Sequence, residues 1–242
     1  MPTNMEKITV VVPALNEEKW LPATLESLRA QTFKEFELVV VDNGSTDRTP
    51  ELAGKWADRV LLEEKRGAVH AIHRGFLEAK GELVVTADAD TLYPPGWLER
   101  MARALARPGT VAAYGPMGFR ESAPPVRLLQ AVGYSLLAWG SLLFRVPLCG
   151  AANLGIRKEA YFEVGGYPPL AHLASPDFRL VQRLSRLGKA RFVPTMVCWT
   201  SGRRFQKGGL KSWLRALALW WDVASGRDRI LAEEYWADGR GQ

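Results

Sequence analysis

The chain has 242 residues, 47% of them hydrophobic and 24% charged, an ordinary globular balance with ample material for a core. Its two cysteines, Cys149 and Cys198, have neither metal-site spacing nor the density of a disulfide scaffold, which points to a reducing compartment. The net charge of +6 suits phosphate-bearing ligands or an anionic membrane surface, and with no nucleic-acid-binding motif beside it nucleic acid is not expected as a partner.

The N-terminus, MPTNMEKITVVVP, enters a strand almost at once and lacks the long apolar core and cleavage site of a signal peptide. Ile8 to Val12 reads as a strand stopped by Pro13, which cannot donate to a ladder. Asn16 is placed to cap the next helix, with Glu17 and Glu18 in its first turn and Leu21, Leu25 and Leu28 as its buried stripe. Phe36 to Val41 is a second strand that runs into DNGSTD, Asp42 to Asp47. There Asn43-Gly44 is turn chemistry, Ser45 or Thr46 can cap a helix toward Trp56, and Asp47 is a helix-start residue. Val60 to Leu62 is a short third strand, followed by Lys65-Arg66-Gly67 and a helix over Ala68 to Ala79 that Gly81 closes.

The next stretch, LVVTADAD, carries the chemistry. Leu83, Val84 and Val85 form a strand buried on both faces, and strand alternation would send Asp88 and Asp90 to the same side. Two converging carboxylates repel unless a positive group lies between them, and Mg²⁺ or Mn²⁺ is the economical choice, because such a cation takes few carboxylates and keeps positions for water and phosphate oxygens. Pro94-Pro95 starts a helix through Leu105, and Val111 to Tyr114 is another strand. This repeating strand–helix order predicts an α/β fold, a mostly parallel sheet with helices on both faces. Ligands then bind beyond the carboxyl ends of the strands, where Asp42, Asp88 and Asp90 all fall.

Leu128 to Phe144 is uncharged and bracketed by Arg127 and Arg145, but it is short for a span and diluted by Gly, Ser and Gln, so a buried or interfacial helix fits better than a transmembrane one. Ala190 to Trp199 reads as a strand, and Thr200 to Gly209 as a loop carrying Arg203 and Arg204. The tail, KSWLRALALWWDVAS, sets Trp213, Trp220 and Trp221 beside Lys211 and Arg215, a mark of an amphipathic helix in a headgroup region.

In order and spacing, VVPALNEE, VVVDNGSTD, VVTADAD, Arg66-Gly67, GAANLGIRKEAYFEVGGYPP and SPDFRLVQRL resemble the family 2 glycosyltransferases over roughly residues 7 to 205. The resemblance implies the GT-A fold, a nucleoside-diphosphate-sugar donor and an inverting transfer to an acceptor hydroxyl or a lipid phosphate. It implies Asp90 as direct metal ligand, Asp88 at the ribose or on the metal through water, and Pro13, Asn16, Glu17 and Asp42 around the nucleoside. Lys65, Arg66, Arg203 and Arg204 would reach the diphosphate, with Gly67 beside them at the nucleotide sugar, and Asp177 matches the catalytic base of inverting members. The sequence departs from the family at two points: Pro176-Asp177 stands where members carry Glu-Asp, and His73 where they often carry Asn or Arg, so His73 is read as a structural histidine with a partner.

The expected organisation is a transferase domain over 1–205, with a nucleotide-sugar half (1–116) and an acceptor half (117–205), followed by a C-terminal helical extension over 206–242. A cytoplasmic location is expected, with the cytoplasmic face of a membrane as the alternative place and a lipid-linked or small-molecule acceptor. The rivals are a nucleotidyltransferase, which would want a glycine-rich basic loop where ALNEE stands, and a non-catalytic sugar-nucleotide or membrane-surface binding module, which would need no base.

Overall fold

The computed structural model of the chain describes residues 7–143, 146–167, 169, 173, 176–203 and 218–225. Its main sheet has the order β3–β2–β1–β4–β7–β5–β8 and is built from β1 (Ile8–Ala14), β2 (Phe36–Asp42), β3 (Arg59–Leu62), β4 (Leu83–Thr86), β5 (Thr110–Tyr114), β7 (Leu154–Arg157) and β8 (Lys189–Phe192). Within it β7 runs antiparallel to β4 and β5, and every other pairing is parallel. A second, two-stranded parallel sheet joins β6 (Met117–Phe119) to β9 (Cys198–Thr200).

Period-two alternation explains why the central strands are apolar throughout. Val10, Val12, Leu38, Val40 and Val85 enter one core with Leu21, Leu25 and Leu28 of α1 (Leu21–Arg29) and Trp97, Leu98 and Met101 of α4 (Trp97–Leu105). Val11, Val39, Val41 and Val84 enter the opposite core with Ala71, Ile72 and Phe76 of α3 (Ala68–Glu78) and Leu180, Val181 and Leu184 of α7 (Pro176–Leu184). Each such side chain removed from water stabilises the fold by roughly 1.5–3 kcal/mol, so a polar residue on either face is costly. α3 approaches β1 closely because Gly75 has no side chain: a Cβ there would stand 2.2 Å from Val11 Cγ1. The shorter helices are α2 (Thr49–Gly54) and α6 (Lys158–Glu163), and α5 (Pro124–Leu143) is the longest.

Several local expectations are corrected. Pro13 does not stop β1, which continues to Ala14. The β4 pairing ends at Val11–Thr86, so the missing Pro13 N–H faces a side with no ladder to complete. β4 itself ends at Thr86, leaving Asp88 and Asp90 on the turn beyond it rather than alternating along a strand. Asn16 caps no helix, since α1 begins only at Leu21. α2 begins at Thr49 with Arg48 as its N-cap, so neither Ser45 nor Thr46 caps it; Asp47 lies just before, its carboxylate accepting the Thr49 and Glu18 amides at 2.9 and 3.1 Å. The single strand expected over Ala190 to Trp199 is two, β8 and β9, separated by the bend around Pro194. In the tail, Lys211, Trp213 and Arg215 lie outside the described residues, while 218–224 are helical with Leu219 and Val223 buried.

Candidate active site

The site sits beyond the carboxyl ends of β1, β2 and β4, where two loops are clasped together. Asn16, held at φ 55°, receives the Thr46 amide on its Oδ1 at 2.8 Å and donates its own amide to Ser45 Oγ at 2.9 Å. The Glu17 amide reaches Thr49 Oγ1 at 2.7 Å. Asp42, which is buried, turns its carboxylate back on its own loop and accepts the Gly44 and Ser45 amides at 3.2 and 3.1 Å. Asn43, unremarked in the sequence beyond its turn, ties in a third segment. Its amide donates to the Glu63 and Lys65 carbonyls, each at 2.8 Å, and its oxygen accepts the Gly67 amide at 2.7 Å. That last bond fixes the entry to α3 and sets the Arg66 guanidinium over Gly44, 3.7 Å from where a Cβ would stand.

The carboxylates of two segments meet on an arginine from a third. Arg203 forms a two-pronged ion pair with Glu17, one prong at 3.0 Å from Nη1 to Oε2, and its Nη2 also lies 3.0 Å from Asp90 Oδ2. Its guanidinium is stacked over the Trp20 ring at 6.0 Å, and the Arg120 guanidinium lies over the same ring at 5.0 Å. Burial alone would depress the Arg203 guanidinium, but the Glu17 hydrogen bond and the Asp90, Glu17 and Asp88 charges outweigh it and hold it above the ordinary arginine value. Among the described residues Asp90 Oδ1 meets long hydroxyl contacts, Thr200 Oγ1 at 3.4 Å and Thr91 Oγ1 at 3.5 Å. Arg204 lies outside the described residues.

Asp177, the other carboxylate singled out in the sequence, stands at the start of α7. Tyr167 Oη donates to its Oδ1 at 2.5 Å and the Ala151 amide donates to its Oδ2 at 3.2 Å. Burial pushes its carboxyl above the usual aspartate range, and these two bonds offset that only in part. Tyr167 is delivered by the turn before it: Gly166, at φ 59°, lies so near Tyr161 that a Cβ would stand 2.6 Å from the ring. Tyr161 Oη accepts the Tyr167 amide at 3.1 Å and shares a 2.9 Å hydrogen bond with His73 Nδ1. His73 therefore has a structural partner, and burial keeps its ring below the usual histidine value and neutral.

A short 3-10 turn, Ala151–Asn153, links the two sides. Its Ala151 amide holds Asp177, its Ala151 carbonyl accepts Thr86 Oγ1 at 2.6 Å, and its Ala152 carbonyl accepts Tyr93 Oη at 2.9 Å. Tyr93 Oη in turn accepts the Asp88 amide at 2.9 Å. Fully buried Asn153 locks the turn by donating to the Met196 and Pro116 carbonyls and accepting from Trp97 Nε1. Sequence reasoning missed Trp20, Tyr93, Asn153 and Thr200. Apart from the Asp88 amide that Tyr93 accepts, the partners cited for them lie tens of residues away, and no local spacing marks them.

The family profile described as Glycosyl transferase family 2 matches residues 9–165. An uncharacterized glycosyltransferase of Mycobacterium tuberculosis is 28% identical over 232 residues, covering 91% of this chain and 99% of the relative. The undecaprenyl-phosphate 4-deoxy-4-formamido-L-arabinose transferase of Pectobacterium carotovorum is 36% identical over 158 residues, 58% of this chain and 48% of the relative, so the chain spans about half of it. Among solved structures, the mannosyltransferase PcManGT of Pyrobaculum calidifontis, in complex with GDP-Man and Mn²⁺, superposes with a TM-score of 0.68 at 25% identity. That match covers 90% of this chain and 62% of the mannosyltransferase. S. aureus TarS in complex with UDP-GlcNAc has the same fold at a TM-score of 0.61 and 19% identity, over 81% of this chain and 58% of TarS. The profile takes in the strand-end loops just described, and the sheet superposes on GT-A transferases: the chain belongs to glycosyl transferase family 2.

Proposed function

We propose that the protein is a metal-dependent, inverting transferase that moves a sugar from a nucleoside-diphosphate sugar to an acceptor oxygen. The observation that carries this reading is the Glu17–Arg203–Asp90 bridge, in which acidic groups from two strand-end loops converge on one cation. A diphosphate entering there would meet Arg203 as a bidentate donor, with Arg66 in reach from the neighbouring loop. Pro13, Asn16, Glu17 and Asp42 would frame the nucleoside. Asp42 would do so through the loop it shapes, because its carboxylate already accepts Gly44 and Ser45.

The donor set suits a hard cation. No cluster of three or more His, Cys, Asp or Glu side chains is placed to hold an ion among the described residues, so Asp90 and Asp88 alone would ligate. One or two carboxylates with phosphate oxygens and water is the usual provision for Mg²⁺, and Mn²⁺ takes the same oxygen donors. The weakly engaged Asp90 Oδ1 is the open donor. Bound there, Mn²⁺ or Mg²⁺ would neutralise charge on the departing diphosphate. Arg203 would leave Asp90 and follow the phosphates, and Gly67 would allow the backbone to come close.

Asp177 would take the proton of an acceptor hydroxyl as the new bond to the anomeric carbon forms and the bond to the diphosphate breaks, which inverts that carbon. The undecaprenyl-phosphate transferases among its relatives favour a second acceptor, a lipid phosphate. A phosphate is already ionised and needs no base, so the Asp177→Asn variant separates the two acceptors. We read residues 1–205 as the catalytic unit and 206–242 as an appendage. The free, buried Cys149 and Cys198 favour a cytoplasmic setting. Thermal-shift measurements with UDP-, GDP- and dTDP-linked sugars, with and without Mn²⁺, test the core of the reading. One donor should raise the melting temperature only when the metal is present, and no shift with any of them would sink it.

A further inference from the structure

α5 is built inside out. Its buried positions are small, Ala131, Ser135, Ala138 and Ser141, while its large apolar residues face solvent, with Leu128 67% and Leu129 71% exposed. Val132, Leu136, Leu137 and Trp139 extend the same exposed face. A helix meant to stabilise a soluble core turns the opposite way, and an apolar strip of this length on a folded domain marks a contact surface. The helix is long and apolar enough to cross a membrane, but it is pinned along its length. Arg127 bonds to the Ser122 carbonyl, Gln130 accepts the Phe119 amide, Tyr134 donates to the Leu148 carbonyl, and Trp139 packs edge-on against Phe192 of β8. It therefore lies along the domain.

The C-terminal half of this face opens into a cleft of about 580 Å³ between α4, α5 and β8. Trp139, Leu142 and Phe192 give it an apolar wall, and Arg100, Arg103, Arg107, Lys189 and Arg191 ring it with positive charge. Arg103 is paired with Glu99, and Arg191 donates to Thr110 Oγ1 at 2.6 Å. Among the described residues no ion pair engages Arg100, Arg107 or Lys189, all three of them exposed. None of these groups belongs to the donor or acceptor site. An apolar strip that merges into a rim of uncompensated cations is complementary to one kind of surface, an acyl layer bordered by phosphates.

We infer that the outward face of α5 and the basic cleft beside it dock the protein on an anionic bilayer, with Arg100, Arg107 and Lys189 at lipid phosphates and Trp139 and the α5 leucines at the acyl boundary. This docking needs no sugar transfer, and its failure would leave donor binding untouched.

Flotation of the full chain with vesicles of phosphatidylcholine, alone or with about a third phosphatidylglycerol, tests it. The protein should float with the anionic vesicles, far less with the neutral ones, and less at high salt. The exposed double variant Arg107→Glu/Lys189→Glu should lower anionic-vesicle binding about a hundredfold, and Leu129→Gln/Leu136→Gln should weaken binding to both compositions. Unchanged melting temperatures for both variants establish that they fold. The inference is overturned if the wild type stays unbound, or if the charge reversals leave its binding intact. It is also overturned if light scattering shows a dimer that the leucine variant separates, because a second copy then covers the face. A melting shift from inorganic phosphate as large as that from anionic vesicles would make the cleft a free-anion site.

Discussion

Asp90 and Asp177 are the same side chain in opposite environments. Asp90 faces a guanidinium at 3.0 Å that it shares with Glu17, so its charge is answered by a charge. Among the described residues Asp177 is held by neutral donors, Tyr167 and the Ala151 amide, and its burial raises its carboxyl above the usual range. A carboxylate paired with a guanidinium can exchange that partner for a metal ion. A carboxylate held by neutral dipoles takes up a proton more readily. On the proposed reading the Asp90 side would serve fixed charge and the Asp177 side proton transfer, with Ala151–Asn153 holding the two in register through Tyr93 and Asp177.

Removing the charge on the donor side should cost most. Asp90→Ala should abolish Mn²⁺-dependent donor binding in calorimetry and lower transfer by about a thousandfold, the scale of losing the main electrostatic contact to a leaving group. Arg203 keeps Glu17 as a partner in this variant, so the melting temperature should move little. Unchanged nucleotide affinity with Mn²⁺ would break the comparison at its first member.

Asp177→Asn should spare donor binding and lower transfer to a hydroxyl acceptor about a hundredfold. Its stability signature has a definite sign. Because the folded carboxyl binds its proton more tightly than an unfolded aspartate, this group favours folding at low pH, and that contribution is lost as pH rises through its folded value. Wild type should therefore gain on the Asn variant in melting temperature as pH falls from neutral toward 4, roughly the unfolded aspartate value. A pH-independent difference would mean that the carboxyl is not perturbed.

Tyr167→Phe sharpens the second member without deleting it. The Tyr167 bond is what holds the Asp177 carboxyl down against burial, so its loss should raise that carboxyl further. Activity that depends on ionised Asp177 would then rise at a higher pH, with a loss of severalfold, about tenfold at most, at neutral pH. An unmoved acidic limb in the pH–rate profile would rule out Asp177 as the titrating base.

How much of this could be read in the chain follows the range of the interactions. The runs VVV in β1 and VVV in β2 announce strands buried on both faces because alternate residues must enter opposite cores, and they do. The acidic strand ends were legible for the same reason, since a parallel sheet gathers its carboxyl ends. Asn16 was misread because its partners, Ser45 and Thr46, arrive from another loop, and a capping pattern says nothing about such competition. β7 escaped notice inside a motif read for its chemistry. Its antiparallel insertion between β4 and β5 depends on a long connection through α5, which sequence order does not dictate. The large residues of Leu128 to Phe144 signalled a helix correctly, but only the position of the small ones shows which face turns outward.

The smallest effect belongs to His73, which separates a structural hydrogen bond from catalysis. Its Nδ1 meets Tyr161 Oη, and Tyr161 in turn accepts the Tyr167 amide, so two residues, Tyr161 and Tyr167, stand between His73 and the proposed base. Burial is the main cause that keeps the ring below its usual value, so the folded state favours the neutral form. Its contribution to stability is present above the unfolded histidine value, about 6.5, and falls away as pH drops through the lower folded one. His73→Phe should cost about 1 kcal/mol at neutral pH, the worth of a buried hydrogen bond, and less near pH 5, while transfer changes by no more than about threefold. A loss of transfer comparable with that of Asp177→Asn, at an unchanged melting temperature, would move the proton-handling group from α7 to α3.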